Sequence, residues 1–252
     1  MPNAKNVTTE SEFIRCLVIG SPGTGKSVFA STFPTPGFVF DLSGGILVYR
    51  GLDFDYEQYP IAPQGWMQFE KDFIRVGKEV KDGKYVTVIV DDTTALTDIA
   101  MERSMQLDPK RNPAGGPLWN VHYQMVKNLI EGKLRQIMSW PCNLVIISHM
   151  DIDKDQETGV IVEIKPFLTG QLATRLPGYF DEVYYTSTRK GPSGIEWLIQ
   201  TVPVGMKNAR SRLSGKQRLL PDVMGNDYNE IMKALNKPLK QAQKQTQIKK
   251  EN

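Results

Sequence analysis

Apolar and polar positions along this chain fall into blocks whose period switches between that of strands and that of helices. Phe13-Ile-Arg-Cys-Leu-Val-Ile19 is a short β-rich apolar run leading into glycine, and Lys26 to Thr32 reads as a helix that stops before Pro34. Gly37-Phe-Val-Phe-Asp41 reads as a strand ending in an acid, followed by Gly44-Gly45 and a short strand or hairpin at Ile46 to Tyr49. Gln64 to Val80 has helical spacing. Tyr85 to Val90 is β-branched and runs into Asp91-Asp92, and Thr94 to Leu107 places Leu96, Ile99 and Met105 at helical intervals. Asp108 to Pro117, rich in proline and glycine, reads as a mobile loop. Leu118 to Met138 reads as a long helix that feeds Asn143 to His149, a buried strand with a polar tip.

Beyond His149 the pattern weakens. Asp151 to Gly159 reads as a polar turn, Val160 to Lys165 as a strand and Gly170 to Leu176 as a short helix. Asp181 to Ser187 and Ile195 to Thr201 read as a strand pair joined through Lys190 to Gly194, and Tyr228 to Leu239 as one amphipathic helix. Strands alternating with helices imply an α/β fold: a mostly parallel central sheet flanked by helices, with an antiparallel edge.

The strongest chemical signal sits between the first strand and the first helix. Gly20-Ser-Pro-Gly-Thr-Gly-Lys-Ser27 matches G-x-x-x-x-G-K-[S/T], a P-loop, in every fixed position. Glycines let the backbone curl so that N–H groups and the helix N-terminus face phosphates. The nucleotide-binding set is therefore Gly20, Ser21, Pro22, Gly23, Thr24, Gly25, Lys26, Ser27 and Val28, with Lys26 reaching the β and γ phosphates of ATP. Ser27 and Asp91, at the tip of the Walker B strand, are the expected Mg²⁺ ligands. Two carboxylates compete for the role of polarising the attacking water, Asp92 and Asp41; Asp92 can equally cap the helix that starts at Thr94. His149, at its strand tip, is a candidate sensor of the γ-phosphate, and Arg210 and Arg212 are candidate cations for a neighbouring subunit's ATP site.

The ordered set of P-loop, Phe-Val-Phe-Asp41-Leu-Ser-Gly-Gly45, Val-Ile-Val-Asp91, Trp119 to Tyr123 and Asn143-Leu-Val-Ile-Ile-Ser-His149 resembles the short RecA-core ATPases of bacteriophages, the RecA-like single-strand annealing proteins. The resemblance runs from about Phe13 to Arg212. It implies a RecA-like fold and ATP-controlled binding of single-stranded DNA in annealing or recombination. It also implies a homo-oligomer, ring or filament, with ATP at subunit interfaces, and a single-strand-binding protein as a candidate partner. His149 maps to the sensor position, and Arg210 and Arg212 to subunit-bridging cations. Ser43 stands where such relatives carry a second acid, so the expected turnover is weak. Two alternatives share the core: a DNA-translocating motor, helicase or packaging ATPase, and a nucleotide-gated assembly protein without DNA binding.

Composition narrows these readings. With 40% hydrophobic and 23% charged residues and no long apolar run, the chain reads as soluble and cytoplasmic, in a host cell if phage-encoded, with no membrane partner. The N-terminus carries no apolar segment of the kind a secretion signal needs. Cys16 and Cys142 suit buried thiols, and with two histidines zinc is not expected. The net charge of +3 is uneven: from Gly205 onward eleven Lys/Arg stand against four Asp/Glu. Residues 1–12 read as an N-terminal extension, 13–212 as the ATPase core, and 213–252 as a basic helix and disordered tail. Candidate DNA contacts are Lys110 and Arg111 in the Pro/Gly loop, Arg189 and Lys190 in the last hairpin, and Lys237, Lys240 and Lys244 in the tail.

Overall fold

The computed structural model describes residues 13–192, 194–214 and 218–236. The N-terminal extension and the tail with Lys237, Lys240 and Lys244 lie outside the described residues. Six strands form the parallel heart of the sheet: β1 (Arg15–Gly20), β2 (Gly37–Asp41), β3 (Phe54–Gln58), β4 (Thr87–Asp91), β5 (Asn143–Lys154) and β7 (Glu182–Gly191). Their spatial order is β7-β1-β5-β4-β2-β3. β8 (Gly194–Gln200) and β10 (Val223–Gly225) continue the sheet beyond β7 through antiparallel pairings, while β6 (Ile161–Pro166) pairs with the end of β5 and β9 (Arg210–Ser211) with the start of β7. This is the expected mostly parallel sheet with an antiparallel edge.

The parallel strands are apolar on both faces because helices cover both. On one side α1 (Lys26–Ser31) and α6 (Tyr228–Leu235) pack Phe29, Phe33, Ile231 and Leu235 against Val18, Val39, Val145 and Tyr184. On the other, α2 (Pro63–Lys81), α3 (Thr93–Leu107), α4 (His122–Ile137) and α5 (Gln171–Arg175) cover Leu17, Ile19, Phe40, Val90 and Ile146. The spacing of Trp66, Phe69, Phe73, Val76 and Val80 keeps one stripe of α2 inward, where Trp66 and Val76 are fully buried. Each such side chain contributes about 1.5–3 kcal/mol.

Several expectations need correction. Ile46–Tyr49 is a 3-10 turn rather than a strand, because Tyr49 is drawn inward beneath Asp91 while Leu47 turns out to solvent. Asp151 to Lys154, expected as a turn, continues β5 and pairs with β6. The 108–117 loop is held rather than loose. Asn112 closes a local turn through Gly116, and His122 accepts from the Leu118 N–H at Nδ1 while its Nε2 meets the Asp108 carbonyl at 2.9 Å. That clamp also delays α4 to His122. Past residue 212, Leu220, Met224 and Ile231 pack in the core cluster that contains Phe29. Among the described residues no helix is long and apolar enough to cross a membrane.

Candidate functional site

Ligands of open α/β sheets sit at the carboxyl ends of the strands, and the candidate residues gather there. Gly20 is in register with His149 across β1 and β5, and Asp41 with Asp91 across β2 and β4. All four therefore lie on one rim of the sheet. Asp92 follows Asp91 through a cis peptide bond.

The phosphate loop is shaped by its own contacts. Thr24 donates its hydroxyl to the Ser21 carbonyl at 2.7 Å, and its Oγ1 lies 2.6 Å from Thr186 Oγ1 on β7. Gly20 has no room for a side chain: a Cβ there would stand 2.0 Å from Thr186 Oγ1. Gly25, with φ of +86°, adopts a backbone conformation that favours glycine. From this loop Lys26 curls inward, 7% exposed, with its ammonium donating to the Ser21 carbonyl at 3.0 Å. Burial lowers its pKa, and the nearby Asp92 and Asp91 charges pull the other way. Among the described residues it forms no ion pair within salt-bridge distance, which leaves a desolvated cation available to phosphates.

Asp91 is buried, and burial raises its pKa; the Ser27 and Tyr49 hydroxyls beside it lower it, while Asp92 and Asp41 raise it further. Tyr49 donates to Asp91 Oδ2 at 3.2 Å. The oxygen set of Ser27 and Asp91 suits a hard cation. Gly45 leaves space beside it, because a Cβ there would lie 3.6 Å from Asp91 Oδ2 and 4.0 Å from Ser27 Oγ. Among the described residues no cluster of three or more His, Cys, Asp or Glu could hold a metal alone. A Mg²⁺ here would take its remaining ligands from phosphates and water.

The two water-polarising candidates differ in what they already hold. Asp41 is tied on both oxygens, Oδ1 accepting from Gly45 N–H at 2.8 Å and Oδ2 from Gln58 Nε2 at 2.7 Å. It shapes the 43–45 turn next to Asp91. Asp92 caps α3, accepting from Ala95 N–H at 3.0 Å, and its Oδ2 lies 3.0 Å from His149 Nε2. Each carboxylate oxygen keeps a second acceptor position, on Asp41 as on Asp92, so either acid can still orient a water. Of its two sequence readings, Asp92 thus fulfils the cap, and it lies beside His149.

His149 and Asp92 are brought together; the arginines are not brought to this rim. Arg210 donates through Nη2 to the carbonyls of Pro177 and Phe180, which holds it against its own chain. Arg212 pairs with Asp181 at 2.6 Å but stays largely exposed. Among the DNA candidates, Arg111 is spent on the carbonyls of Asp108, Lys110 and Met105, and Arg189 pairs with Glu196. Lys110 and Lys190 are exposed. The 15 residues of α3, a span of about 22 Å, run between Asp92 and the loop that carries Lys110 and Arg111.

Sequence reasoning missed Tyr49 and Gln58, which support the two acids, and Trp197 and Asn226, which pack on Gly25. The Trp119 to Tyr123 segment sets the exposed Trp119 against Tyr123, with ring centroids 4.6 Å apart and planes tilted by 39°, beside Lys127 and Gln171 in a cavity of about 330 Å³.

Residues 12–213 match a family described as an AAA domain. No curated protein matches the chain. Among solved structures, a KaiC-like protein of the hyperthermophilic archaeon Pyrococcus horikoshii aligns over 80% of this chain and 84% of its own, with 11% identity and a TM-score of 0.45. The chain belongs to the AAA domain family, and its P-loop at the carboxyl end of a mostly parallel sheet is that of a nucleotide-binding protein.

Proposed function

We propose that this AAA-domain protein binds and hydrolyses ATP with Mg²⁺ at the sheet rim and uses the bound γ-phosphate to control a single-stranded DNA-binding face. The observation that carries the reading is the convergence of Lys26, Ser27, Asp91, Asp92 and His149 on one edge, with the buried lysine ammonium unclaimed by any carboxylate. Lys26 and the loop N–H groups hold phosphate oxygens. Ser27 and Asp91 hold Mg²⁺, which neutralises phosphate charge when bound. Asp92 orients the attacking water, and His149 senses whether the γ-phosphate is present.

The link to DNA rests on backbone continuity. Phe167 N–H donates to the His149 carbonyl at 2.8 Å, and Thr94 donates to the Phe167 carbonyl at 3.3 Å. Phe167 leads directly into Thr169, Gly170 and Gln171, which line the Trp119–Tyr123 cavity with Lys127. Aromatic faces beside a cation suit single-stranded bases. In a homo-oligomer with ATP at its subunit interfaces, a bridging arginine would have to leave its present partners, Arg212 its Asp181 pair and Arg210 the Pro177 and Phe180 carbonyls.

The test measures hydrolysis and binding of a labelled single strand together, with ATP, with a non-hydrolysable analogue and with neither, at low and physiological salt. Expected are Mg²⁺-dependent hydrolysis, tighter DNA binding with the analogue, and loss of that coupling in His149→Ala. Absence of nucleotide binding would overturn the whole reading; DNA affinity indifferent to nucleotide would leave the ATPase and remove the control.

A further inference from the structure

A nucleotide whose phosphates lie on the P-loop must send its nucleoside out on one side. Towards β2 and β4 the crevice is bounded by Tyr49 and the Asp41–Gln58 pair, and towards β5 by Asp92 with His149. The remaining side is walled by the β7–β8 hairpin. β7 pairs with β1 only from Glu182 to Tyr185, while its pairing with β8 continues to Gly191. The hairpin therefore rises beyond the end of β1, above the same rim that carries the phosphate loop.

Trp197 stands on this wall. It shares a face of β8 with Ile199, which packs in the core cluster that contains Phe29 of α1, so its indole lies on the α1 side. The ring leans on the loop: a Cβ at Gly25 would be 2.8 Å from Trp197 Cγ and 2.9 Å from Cδ1. Even so, the residue stays 43% exposed. β10 brings Asn226 to the same point. Its Nδ2 donates to the Gly25 carbonyl at 2.7 Å and its backbone N–H to the Trp197 carbonyl at 3.2 Å, tying loop and hairpin together. The Asn226 residue is 8% exposed, and its side-chain Oδ1 is buried with no partner.

We propose that Trp197 and Asn226 form the nucleobase subsite of the phosphate crevice. The indole offers its exposed part as a stacking platform, and Asn226 is a positioning residue that holds the indole against Gly25 through its bonds to the Gly25 and Trp197 carbonyls. The ligand class is a nucleoside triphosphate whose base stacks on the indole. The proposal rests on the nucleotide-binding reading above and extends it from the phosphates to the base. A glycine at position 25 then serves two ends, the turn of the loop and close approach of the aromatic ring.

The experiment compares binding of ATP with binding of inorganic tripolyphosphate, both with Mg²⁺, by calorimetry. In Trp197→Ala the ATP affinity should fall about 5- to 150-fold, the range that loss of one base stack gives, while tripolyphosphate affinity stays at the wild-type level. Trp197→Phe keeps a ring and should restore most of the ATP affinity, which guards against a variant that merely folds poorly. Asn226→Ala should lose part of the ATP preference in the same direction. Tryptophan emission gives a second readout: ATP, not tripolyphosphate, should perturb it in the wild type, and Trp197→Phe should abolish that response although Trp66, Trp119 and Trp140 remain. Equal weakening of both ligands in Trp197→Ala, or no change in either, would overturn the subsite while leaving nucleotide binding in place. A wild-type protein that binds neither ligand would remove the nucleotide reading and the subsite with it.

Discussion

Asp92 carries two roles that a single pair of substitutions can separate. Its Oδ1 accepts the Ala95 N–H at 3.0 Å as the cap of α3, and its Oδ2 faces His149 Nε2 at 3.0 Å. Asparagine caps helices about as well as aspartate, so Asp92→Asn should keep the first contact and leave the melting temperature nearly unchanged. Alanine removes the cap, which costs about 1 kcal/mol and, in a chain of this size, about 2–4 °C of melting temperature. Chemistry should not follow stability. Both variants lack the carboxylate that orients water, and each should lose about 10²- to 10⁴-fold in turnover, the usual contribution of a positioned acid or base. In Asp92→Asn the amide also presents N–H to His149 where the carboxylate presented oxygen, so the coupling between nucleotide and DNA should weaken with turnover. Thermal melts, steady-state ATPase rates and nucleotide-dependent strand binding, taken on both variants, give the comparison. Turnover in Asp92→Asn within about threefold of wild type would refute the reasoning and reduce Asp92 to a helix cap.

Other substitutions probe the shell around it. Asp41→Asn puts an amide donor against either Gly45 N–H or Gln58 Nε2, leaving a buried group unsatisfied at a cost of about 1–3 kcal/mol, visible as a lower melting temperature and weaker Mg²⁺-dependent nucleotide binding. Asp91 has its pKa raised by burial, so its favourable contribution exists only below the ordinary carboxylate range and is lost as pH rises through the folded value. Asp91→Asn should therefore raise the melting temperature of the ligand-free protein at neutral pH, lose that gain on acidification, and abolish stabilisation by Mg²⁺ with ATP. Burial pushes the Cys142 thiol up to about 12 and Cys16 well above its ordinary value, so neither should react with a disulfide reagent in the native protein near neutral pH, and both should react once unfolded. Removing Mg²⁺ with a chelator should weaken ATP binding far more than it weakens binding of the uncharged nucleoside; equal losses would contradict the metal assignment.

Much of the fold is legible because parallel strands covered on both faces are continuous apolar runs, as in β1, β4 and the first half of β5. The pattern fails at the edges. β3 reads Phe-Asp-Tyr-Glu-Gln and is buried on neither side, so it carries no apolar signal, and β10 is three residues long. Ile46–Tyr49 has the composition of a strand, yet local packing overrides it: the hydroxyl of Tyr49 is worth more beneath Asp91 than the side chain is in a ladder. The clamp of His122 on Asp108 and Leu118 is likewise tertiary, and it turns a composition that reads as mobile into a fixed turn.

The site divides along the same line. Residues 20–27 are legible because the phosphate cradle is built from consecutive backbone, and Asp91, Asp92 and His149 because they terminate runs that the sheet makes conspicuous. What supports and completes them comes from far away: Asn226 reaches Gly25 across 201 positions, and no local pattern encodes such a meeting. Electrostatics ties the two kinds of residue together. One buried ammonium, Lys26, lies near the buried carboxylates of Asp92 and Asp91, with the buried Asp41 beside Asp91. Without a ligand this is an excess of negative charge in a desolvated crevice, and a triphosphate alone would deepen it. The arrangement becomes favourable only when a divalent cation arrives with the phosphates, so cation and nucleotide have to bind as a unit. A crevice so balanced has little affinity to spare for phosphate alone, which is why an aromatic wall at Trp197, where the base would lie, matters to a loop whose own motif ends at Ser27.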